Sequence, residues 1–254
     1  MMNNSCSLNL KRFFNDFSLL IFTFLLFSCV TNRVDGDSDA EKIKNAKYQM
    51  VNKNEELYYL DTQIKYPAFE NYPEFSKRIA NTVESNWKSF KSYCKEEWDS
   101  INQLNSMDGS KSCLPPFEYL VEAEVTYSDQ YVSVYLETYI FNGGAHGNVV
   151  IQTFCYDTQN KTYADITEAT GYSYQQLSEA CKKALVNRLI DQDPALPAVQ
   201  RDTFMQNINT EVFPQASNFE KFTLDGKIVN IYYEPYSVAP YSYGIQVVSL
   251  KFKY

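Results

Sequence analysis

The pattern of apolar positions changes its period several times along the chain, and each period predicts a different element. The stretch from Tyr48 to Tyr66 is typical of one or two strands, closed by Pro67. Beyond Pro73, apolar residues recur at helical spacing and predict one long amphipathic helix with Cys94 on its buried stripe. That stripe comprises Phe75, Ile79, Val83, Trp87, Phe90, Cys94, Trp98 and Ile101.

Two segments of strict alternation follow, residues 117–127 and 131–141, joined by the sequence SDQ as in a hairpin. Because alternate residues of a strand point to opposite faces, one face is apolar and we expect it to contact the long helix. The apolar face comprises Val121, Ala123, Val125, Val132, Val134, Leu136 and Ile140. The opposite face carries carboxylates and tyrosines: Glu122, Glu124, Ser133, Tyr135, Glu137 and Tyr139.

The remaining elements complete an order in which strands and helices are mixed. A further strand around Cys155 precedes a helix over 174–190, whose apolar stripe includes Cys181, and a shorter helix is expected near 200–210. Asp225 and Gly226 between two alternating runs predict a hairpin, and a final strand ends the sequence. This order predicts the α+β class, with helices packed on an antiparallel sheet.

The first 28 residues have the pattern of an export signal. Lys11 and Arg12 precede FSLLIFTFLLFSC, an apolar run with a small residue before cysteine, too short to argue for a stable membrane span. LLFSC resembles a bacterial lipoprotein lipobox, which implies removal of residues 1–28, Cys6 included, and attachment of lipid to Cys29. Polar residues 29–46 are then a flexible tether. We therefore expect an exported protein, anchored in the membrane through lipid and either periplasmic or surface-exposed.

After the tether we expect one α+β domain over residues 47–254, with an N-terminal half to about 115 and a C-terminal half from 116. The formal net charge of the chain is −8. Nucleic acid is therefore excluded as a partner of the domain, whereas a basic protein is electrostatically acceptable.

Four cysteines remain after the signal, an even number that predicts disulfides in an exported chain. Three pairings are open. We favour Cys155 with Cys181, because both point towards apolar partners, and by elimination Cys94 with Cys113. The chain has no CxxC pair and a single histidine, so the usual zinc sets are excluded and we expect no metal or cofactor.

The single histidine lies in the loop NGGAHGN, between two strands. Glycines permit positive φ and asparagines tolerate left-handed turns, so the loop is suited to a tight connection shaped by a hydrogen bond from His146. A catalytic base is the alternative, but the sequence has no GxSxG nucleophile motif. The loop residues of interest are Asn142, Gly143, Gly144, His146, Gly147 and Asn148.

Three motifs together resemble a known family of exported domains: YIFNGGAHGN, the segment YDTQNKTYADITEAT, and FTLDGKIVNIYYEPYSVAPYSYG. They are similar to the RsiV-like domain, found in lysozyme-sensing anti-sigma-V factors and at the N-terminus of PdaC-type peptidoglycan deacetylases. The resemblance covers roughly residues 50–254. It implies an α+β fold and a binding or sensing module, because the chemistry of those deacetylases belongs to a separate metal-dependent domain. In the second loop of this family pattern, the candidate residues are Tyr236, Pro240, Tyr241 and Gly244.

The function we expect is noncatalytic binding of a basic protein such as lysozyme, or of peptidoglycan, by a lipid-anchored envelope protein. One alternative is a hydrolase of cell-wall glycan, in which two carboxylates among Glu122, Glu124 and Glu137 meet across the hairpin as glycoside hydrolysis requires. The other alternative is a purely structural envelope lipoprotein.

Overall fold

The structure is a computed structural model that describes residues 46–108 and 115–253, all within the unit Ser38–Tyr254. The predicted signal, Cys6, the lipidation site Cys29 and Cys113 lie outside the described residues. Within the ranges described, none of the helices is both long and apolar enough to cross a membrane.

The first sheet has six strands, which lie side by side in the order in which they occur in the chain. Their bounds are β1 (Tyr48–Glu56), β2 (Leu60–Phe69), β3 (Phe117–Ser128), β4 (Tyr131–Phe141), β5 (Asn148–Asp157) and β6 (Thr162–Tyr163). All neighbours are antiparallel except β2 and β3, which pair in parallel over five residues. The sheet is therefore mixed, not antiparallel as predicted. The cause is the helix α1 (Pro73–Asp108), which lies between β2 and β3 and serves as the crossover that parallel strands require.

Strand β2 also continues past Pro67, where the sequence predicted its end. A proline within a strand removes one backbone donor, which is tolerated where that side of the strand has no partner. β3 pairs with β2 only from Leu60 to Ile64, so Pro67 lies beyond this ladder and β2 extends to Phe69.

The predicted long helix is confirmed, and its apolar stripe forms one hydrophobic core with the sheet. Phe75, Ile79 and Cys94 are completely buried in this core, and the indole Nε1 of Trp87 donates a hydrogen bond to the hydroxyl of Thr62 at 3.3 Å. The apolar faces predicted for the β3–β4 hairpin belong to the same core, so the assignment of faces by alternation is confirmed.

A second layer contains three short helices and a three-stranded antiparallel sheet. Their bounds are α2 (Ile166–Thr170), α3 (Tyr174–Val186), α4 (Ala198–Glu211), β7 (Phe222–Asp225), β8 (Ile228–Tyr233) and β9 (Gln246–Lys251). Asp165 caps α2 by accepting hydrogen bonds from two backbone amides, and Ser173 with Gln176 forms a capping box on α3. The apolar side of α3 packs with the three-stranded sheet in a second core. The α+β class is thus confirmed.

Strand β7 is at the edge of its sheet and lies against the polar face of the six-stranded sheet. The backbone N–H of Leu224 donates to the hydroxyl of Ser133 at 2.9 Å, and the carbonyl of Leu224 accepts from Thr126 at 2.9 Å. The N–H of Phe222 donates to the hydroxyl of Thr153 at 3.1 Å. We call these contacts the seam. Part of the face expected to be a surface of carboxylates and tyrosines is therefore covered, and Ser133 is fully buried.

Among the described residues, Cys94, Cys155 and Cys181 are buried free thiols, which contradicts the predicted Cys155–Cys181 pair. Cys113, the predicted partner of Cys94, lies outside the described residues. Cys155 and Cys181 do share the second core, but the sulfur of Cys155 accepts a hydrogen bond from Ser133 at 3.3 Å. Burial raises the pKa of Cys94 and Cys155 to about 12, and that of Cys181 to about 11. Such thiols pack as small apolar residues and hold too little thiolate for exchange.

We predict that Ser133→Ala lowers the free energy of unfolding by about 1–3 kcal/mol, because it leaves the buried N–H of Leu224 without an acceptor. Urea unfolding followed by circular dichroism measures this change. The matched control is Ser249→Ala, which removes an exposed hydroxyl bonded to Asn230 and is expected to shift stability by less than about 0.5 kcal/mol. Equal stability of Ser133→Ala and the parent protein would show that the hydrogen bond between Ser133 and Leu224 does not stabilise the fold.

The three described thiols should resist alkylation in the folded protein and become labelled on unfolding without prior reduction, because they are buried as free thiols. Peptide mass spectrometry after labelling with and without reductant measures this residue by residue. Labelling of the peptides containing Cys155 and Cys181 only after reduction would instead show that these two cysteines form a disulfide.

Candidate functional site

The loop between β4 and β5 uses its glycines for two different reasons. Gly143 has a φ of +86°, which glycine adopts without strain. Gly144 and Gly147 do not have positive φ, which corrects the expectation that all three glycines serve this purpose. Gly147 is required by space instead, since a Cβ atom there would lie 2.2 Å from Cζ of Tyr139. Asn142 and Asn148, at the two ends of the loop, are exposed.

The ring of His146 is held by a hydrogen bond at each nitrogen. Nδ1 lies 2.7 Å from the carbonyl oxygen of Gly147, and Nε2 lies 3.1 Å from the hydroxyl of Tyr236. Because a carbonyl can only accept, Nδ1 carries the proton in the neutral ring, and Nε2 then accepts from Tyr236. His146 therefore fixes the shape of its own loop and joins it to a loop 90 residues later in the sequence.

That second loop follows β8 and has its own internal support. Tyr236 has a φ of +73°, uncommon for a bulky residue, and its N–H donates to the carbonyl of Ala239 at 3.0 Å. Glu234 joins the loop to β5: its carboxylate accepts from the N–H of Ile151 at 2.6 Å and pairs with Lys221 at 2.7 Å. The loop is thus fixed on both sides of Tyr236.

The two loops bring three rings together at the surface. The ring of His146 stacks on Tyr241 with centroids 4.0 Å apart, and the rings of Tyr236 and Tyr241 are 5.6 Å apart. We call His146, Tyr236 and Tyr241 the loop surface. Tyr236 remains 56% exposed. Pro240 and Gly244 border the 3₁₀ turn Tyr241–Tyr243, and Gly244 has a φ of +64°.

Beside the loop surface lies the uncovered part of the polar sheet face, which we call the carboxylate face. Glu122 pairs with Lys65 at 2.8 Å, and Glu137 accepts a hydrogen bond from the hydroxyl of Tyr135 at 2.8 Å. Burial, and then the nearby charge of Glu137, raises the pKa of Tyr135, so this hydroxyl remains a donor at neutral pH. Glu124 is exposed on the same face.

Three residues next to these predicted positions were not identified from the sequence. Glu118 and Asp61 are partners in the β2–β3 register. Burial and then the charge of Asp61 raise the pKa of Glu118, whereas burial and then the charge of Glu56 raise the pKa of Asp61. The ring of Tyr232 packs against the ring of Tyr135 in a tilted arrangement, with centroids 4.8 Å apart. Alternation along β3 could have indicated Glu118, which shares the face of Glu122. Nothing local indicates Asp61 or Tyr232, since both depend on packing between distant segments.

The chemistry available here is recognition by rings, hydroxyls and carboxylates. In the described ranges, no group of three or more His, Cys, Asp or Glu residues is arranged to hold a metal ion. The contacts of His146 are a backbone carbonyl and tyrosines, and the buried thiols lie in the hydrophobic cores. The sequence indicated candidate residues in two separate loops. The structure brings three of them, His146, Tyr236 and Tyr241, into contact.

We predict that Gly147→Ala lowers the free energy of unfolding by about 1–3 kcal/mol, because the new methyl group displaces the ring of Tyr139. Gly144→Ala is the control within the same loop. Outside the adjacent residues, the nearest atom to its Cβ would be 3.8 Å away, and we expect a change below about 0.5 kcal/mol. Urea unfolding of both variants measures the difference. Similar stabilities for the two would show that Tyr139 does not constrain the loop.

Two families match consecutive parts of the chain. The family described as "Deacetylase PdaC" matches residues 51–149, and the family described as "Protein of unknown function (DUF3298)" matches residues 164–253. The first match ends just after the His146 loop, and the second contains the loop with Tyr236 and Tyr241.

A curated relative is the peptidoglycan-N-acetylmuramic acid deacetylase PdaC of Bacillus subtilis (strain 168), 26% identical over 253 residues. The alignment covers 97% of this chain and 46% of that protein, so the chain spans about half the length of the relative.

Two crystal structures of DUF3298 family members also resemble this one. The protein from Bacteroides fragilis NCTC 9343 has a TM-score of 0.57 at 15% identity, covering 81% of this chain and 90% of its own. The protein from Pseudomonas aeruginosa PAO1 has a TM-score of 0.44 at 17% identity, covering 82% and 90%. The first of these likenesses shows a shared fold. Over its two consecutive family matches the chain is similar to PdaC-type proteins, with a PdaC segment followed by a DUF3298 segment.

Proposed function

We propose that this protein is a noncatalytic, lipid-anchored binding module of the bacterial cell envelope, whose ligand is a basic protein such as lysozyme or a peptidoglycan glycan. The observation that carries the proposal is the loop surface, in which two loops far apart in sequence hold exposed aromatic rings in a fixed arrangement. The deacetylase relative, named for its action on peptidoglycan, supports the envelope as the place of action. The lipobox-like sequence before Cys29 supports the anchor.

The loop surface has the properties of a preformed recognition site. Tyrosines present a large apolar area and a polar hydroxyl with few rotatable bonds, which is why they are enriched in interfaces. Tyr236 is fixed by its backbone bond to Ala239 and its side-chain bond to His146, so little conformational entropy is lost when a ligand binds. A non-glycine residue at positive φ in an exposed loop is consistent with a functional constraint.

The carboxylate face gives this surface a charge preference. Glu122 and Glu124 are exposed, and Glu118 beside Asp61 has a raised pKa because burial and the adjacent carboxylate disfavour its charge. A cationic group docked near this pair would favour the charged form and gain from it. The acidic surface would also attract a basic protein over a distance of about 10 Å at moderate ionic strength.

A hydrolase that uses the same carboxylates is the second candidate function. Glu122 and Glu137 are direct partners in the β3–β4 register, so their carboxyl groups can approach the separation used for glycoside hydrolysis. However, Glu122 is bound to Lys65 and its side chain is 64% exposed, while Glu137 is engaged by Tyr135. This arrangement supports binding over hydrolysis.

We predict that Tyr236→Ala weakens binding of lysozyme, or of soluble peptidoglycan fragments, by about 10- to 100-fold, because truncation of a rigid aromatic contact typically costs 1–3 kcal/mol at an interface. Calorimetric titration of each ligand measures the affinity. Tyr58→Ala is the matched control, since it removes a tyrosine that is 64% exposed near the β1–β2 turn. Equal affinities for all three proteins would exclude the loop surface as the binding site.

The same preparations separate the proposed function from its alternatives. Turnover of a labelled peptidoglycan glycan that is abolished by Glu122→Gln or Glu137→Gln would replace the binding proposal with the hydrolase. Absence of binding to both lysozyme and peptidoglycan fragments would favour the purely structural role.

A further inference from the structure

A second feature lies at the beginning of α1 and is separate from the loop surface. The first turns of α1 and the turn between β5 and β6 line an open cavity of about 310 Å³. Its aromatic wall includes Phe75 and Tyr156, whose rings stack with centroids 4.8 Å apart, and Tyr163, which pairs with Tyr156 across β5 and β6. Tyr163 is 44% exposed, so one ring of this wall faces the open side.

Three cations and one carboxylate line the same cavity. Lys77 and Arg78 come from α1, Lys161 from the β5–β6 turn, and Glu74 is the single acid. In a chain of net charge −8 this is a local reversal of sign. Glu74 and Arg78 have the i, i+4 spacing of a helical ion pair, yet they form none. Arg78 instead lies 5.6 Å from the ring centroid of Tyr163.

The other two cations, Lys77 and Lys161, also lack ion-pair partners in the described part of the chain. Many lysines elsewhere form ion pairs, for example Lys91 with Glu55 at 2.7 Å. Three positive charges beside a single carboxylate, with no ion pair among them, repel one another, and an anionic ligand would relieve that repulsion.

The turn that presents Lys161 is rigidly built. Lys161 itself has a φ of +55°, a conformation that lysine rarely adopts. The carboxylate of Asp157 accepts from the backbone N–H groups of Gln159 and Asn160, each at 2.9 Å, and from the side chains of Gln130 and Asn160. Burial opposes the charge of Asp157, but these hydrogen bonds outweigh it and hold its pKa below the ordinary value. The ammonium group of Lys161 is therefore carried by an ordered backbone.

We propose that this cavity binds the acid group of an anionic saccharide, with Arg78, Lys77 and Lys161 around the charge and the ring of Tyr163 against the sugar. A guanidinium presents two parallel N–H donors to a carboxylate or a phosphate, and a tyrosine ring accepts the apolar C–H face of a pyranose. Asn81, also in the lining, offers an amide donor and acceptor to a sugar hydroxyl. The volume is at the lower end of the range for small-molecule sites, which is suited to a single sugar unit.

The test is a titration of the full chain with four probes, in which binding is detected through changes in backbone amide chemical shifts. N-acetylmuramic acid and N-acetylglucosamine share the pyranose ring, and only the first carries a carboxylate. Glucose 6-phosphate tests a sugar phosphate, and inorganic phosphate tests the bare anion. We expect one of the two acidic sugars to bind with shifts around residues 74–81 and 156–163, and N-acetylglucosamine to bind at least about tenfold more weakly, because it lacks charge-assisted hydrogen bonds.

Two variants keep the test specific. Arg78→Gln should lower the affinity for the acidic sugar about tenfold, because it removes the charged guanidinium. Lys182→Gln removes one positive charge from an exposed position on α3 and should leave this affinity unchanged. Equal weakening by both variants, equal affinity for N-acetylglucosamine, or binding of inorganic phosphate as tight as that of the best sugar would each overturn the proposal. Tyr236→Ala should not affect this titration, so the outcome is independent of the loop surface.

Discussion

The hydrogen bonds of the seam are the contacts on which the rest of this structure depends. A strand at the edge of a sheet leaves a row of backbone groups without partners, and burying such an edge is costly unless every group finds one. Here the edge of β7 is satisfied by hydroxyl groups of Ser133, Thr126 and Thr153, which lie on three neighbouring strands of the other sheet. Side chains of one sheet thus complete the backbone pairing of the other.

This arrangement fixes the position of the candidate site. β7 continues through a tight turn at Gly226 into β8, and β8 ends at the loop that carries Tyr236. Because β7 is held against β3, β4 and β5, this loop is brought to the end of β4, where His146 lies. The bond between Glu234 and the amide of Ile151 then fixes the same loop directly to β5. The contact between His146 and Tyr236 is therefore the result of several hydrogen bonds outside it.

Local periodicity predicted the long helix and the long strands, but it did not predict the short elements β6 and α2 or the arrangement of the strands. The stripe of α1 and the two faces of the β3–β4 hairpin follow from the spacing of residues such as Ile79 and Val134, because burial on one side imposes that spacing. The parallel pairing of β2 with β3 depends on where a 36-residue helix returns the chain, which no local pattern records.

The errors at the site and in the core have a similar origin. The even number of cysteines suggested disulfides, but Cys155 is surrounded by apolar groups and one hydroxyl, which a thiol satisfies without a covalent partner. The motif around His146 indicated a shaped loop, whereas the close approach of Tyr139 to Gly147 depends on how the end of β4 packs against the loop. Contacts between segments far apart in sequence are the part that pattern alone could not supply.

The seam also has a consequence for how the chain acquires its structure. The hydroxyl groups that receive β7 are on strands made earlier in synthesis, so the edge of β7 has its partners available as soon as it emerges. The seam joins the two matched segments, since Thr126 and Ser133 belong to the first and β7 belongs to the second, while Thr153 lies between them. A chain cut between the two matched segments would leave the edge of β7 without these hydroxyl partners, and an uncovered strand edge is open to aggregation.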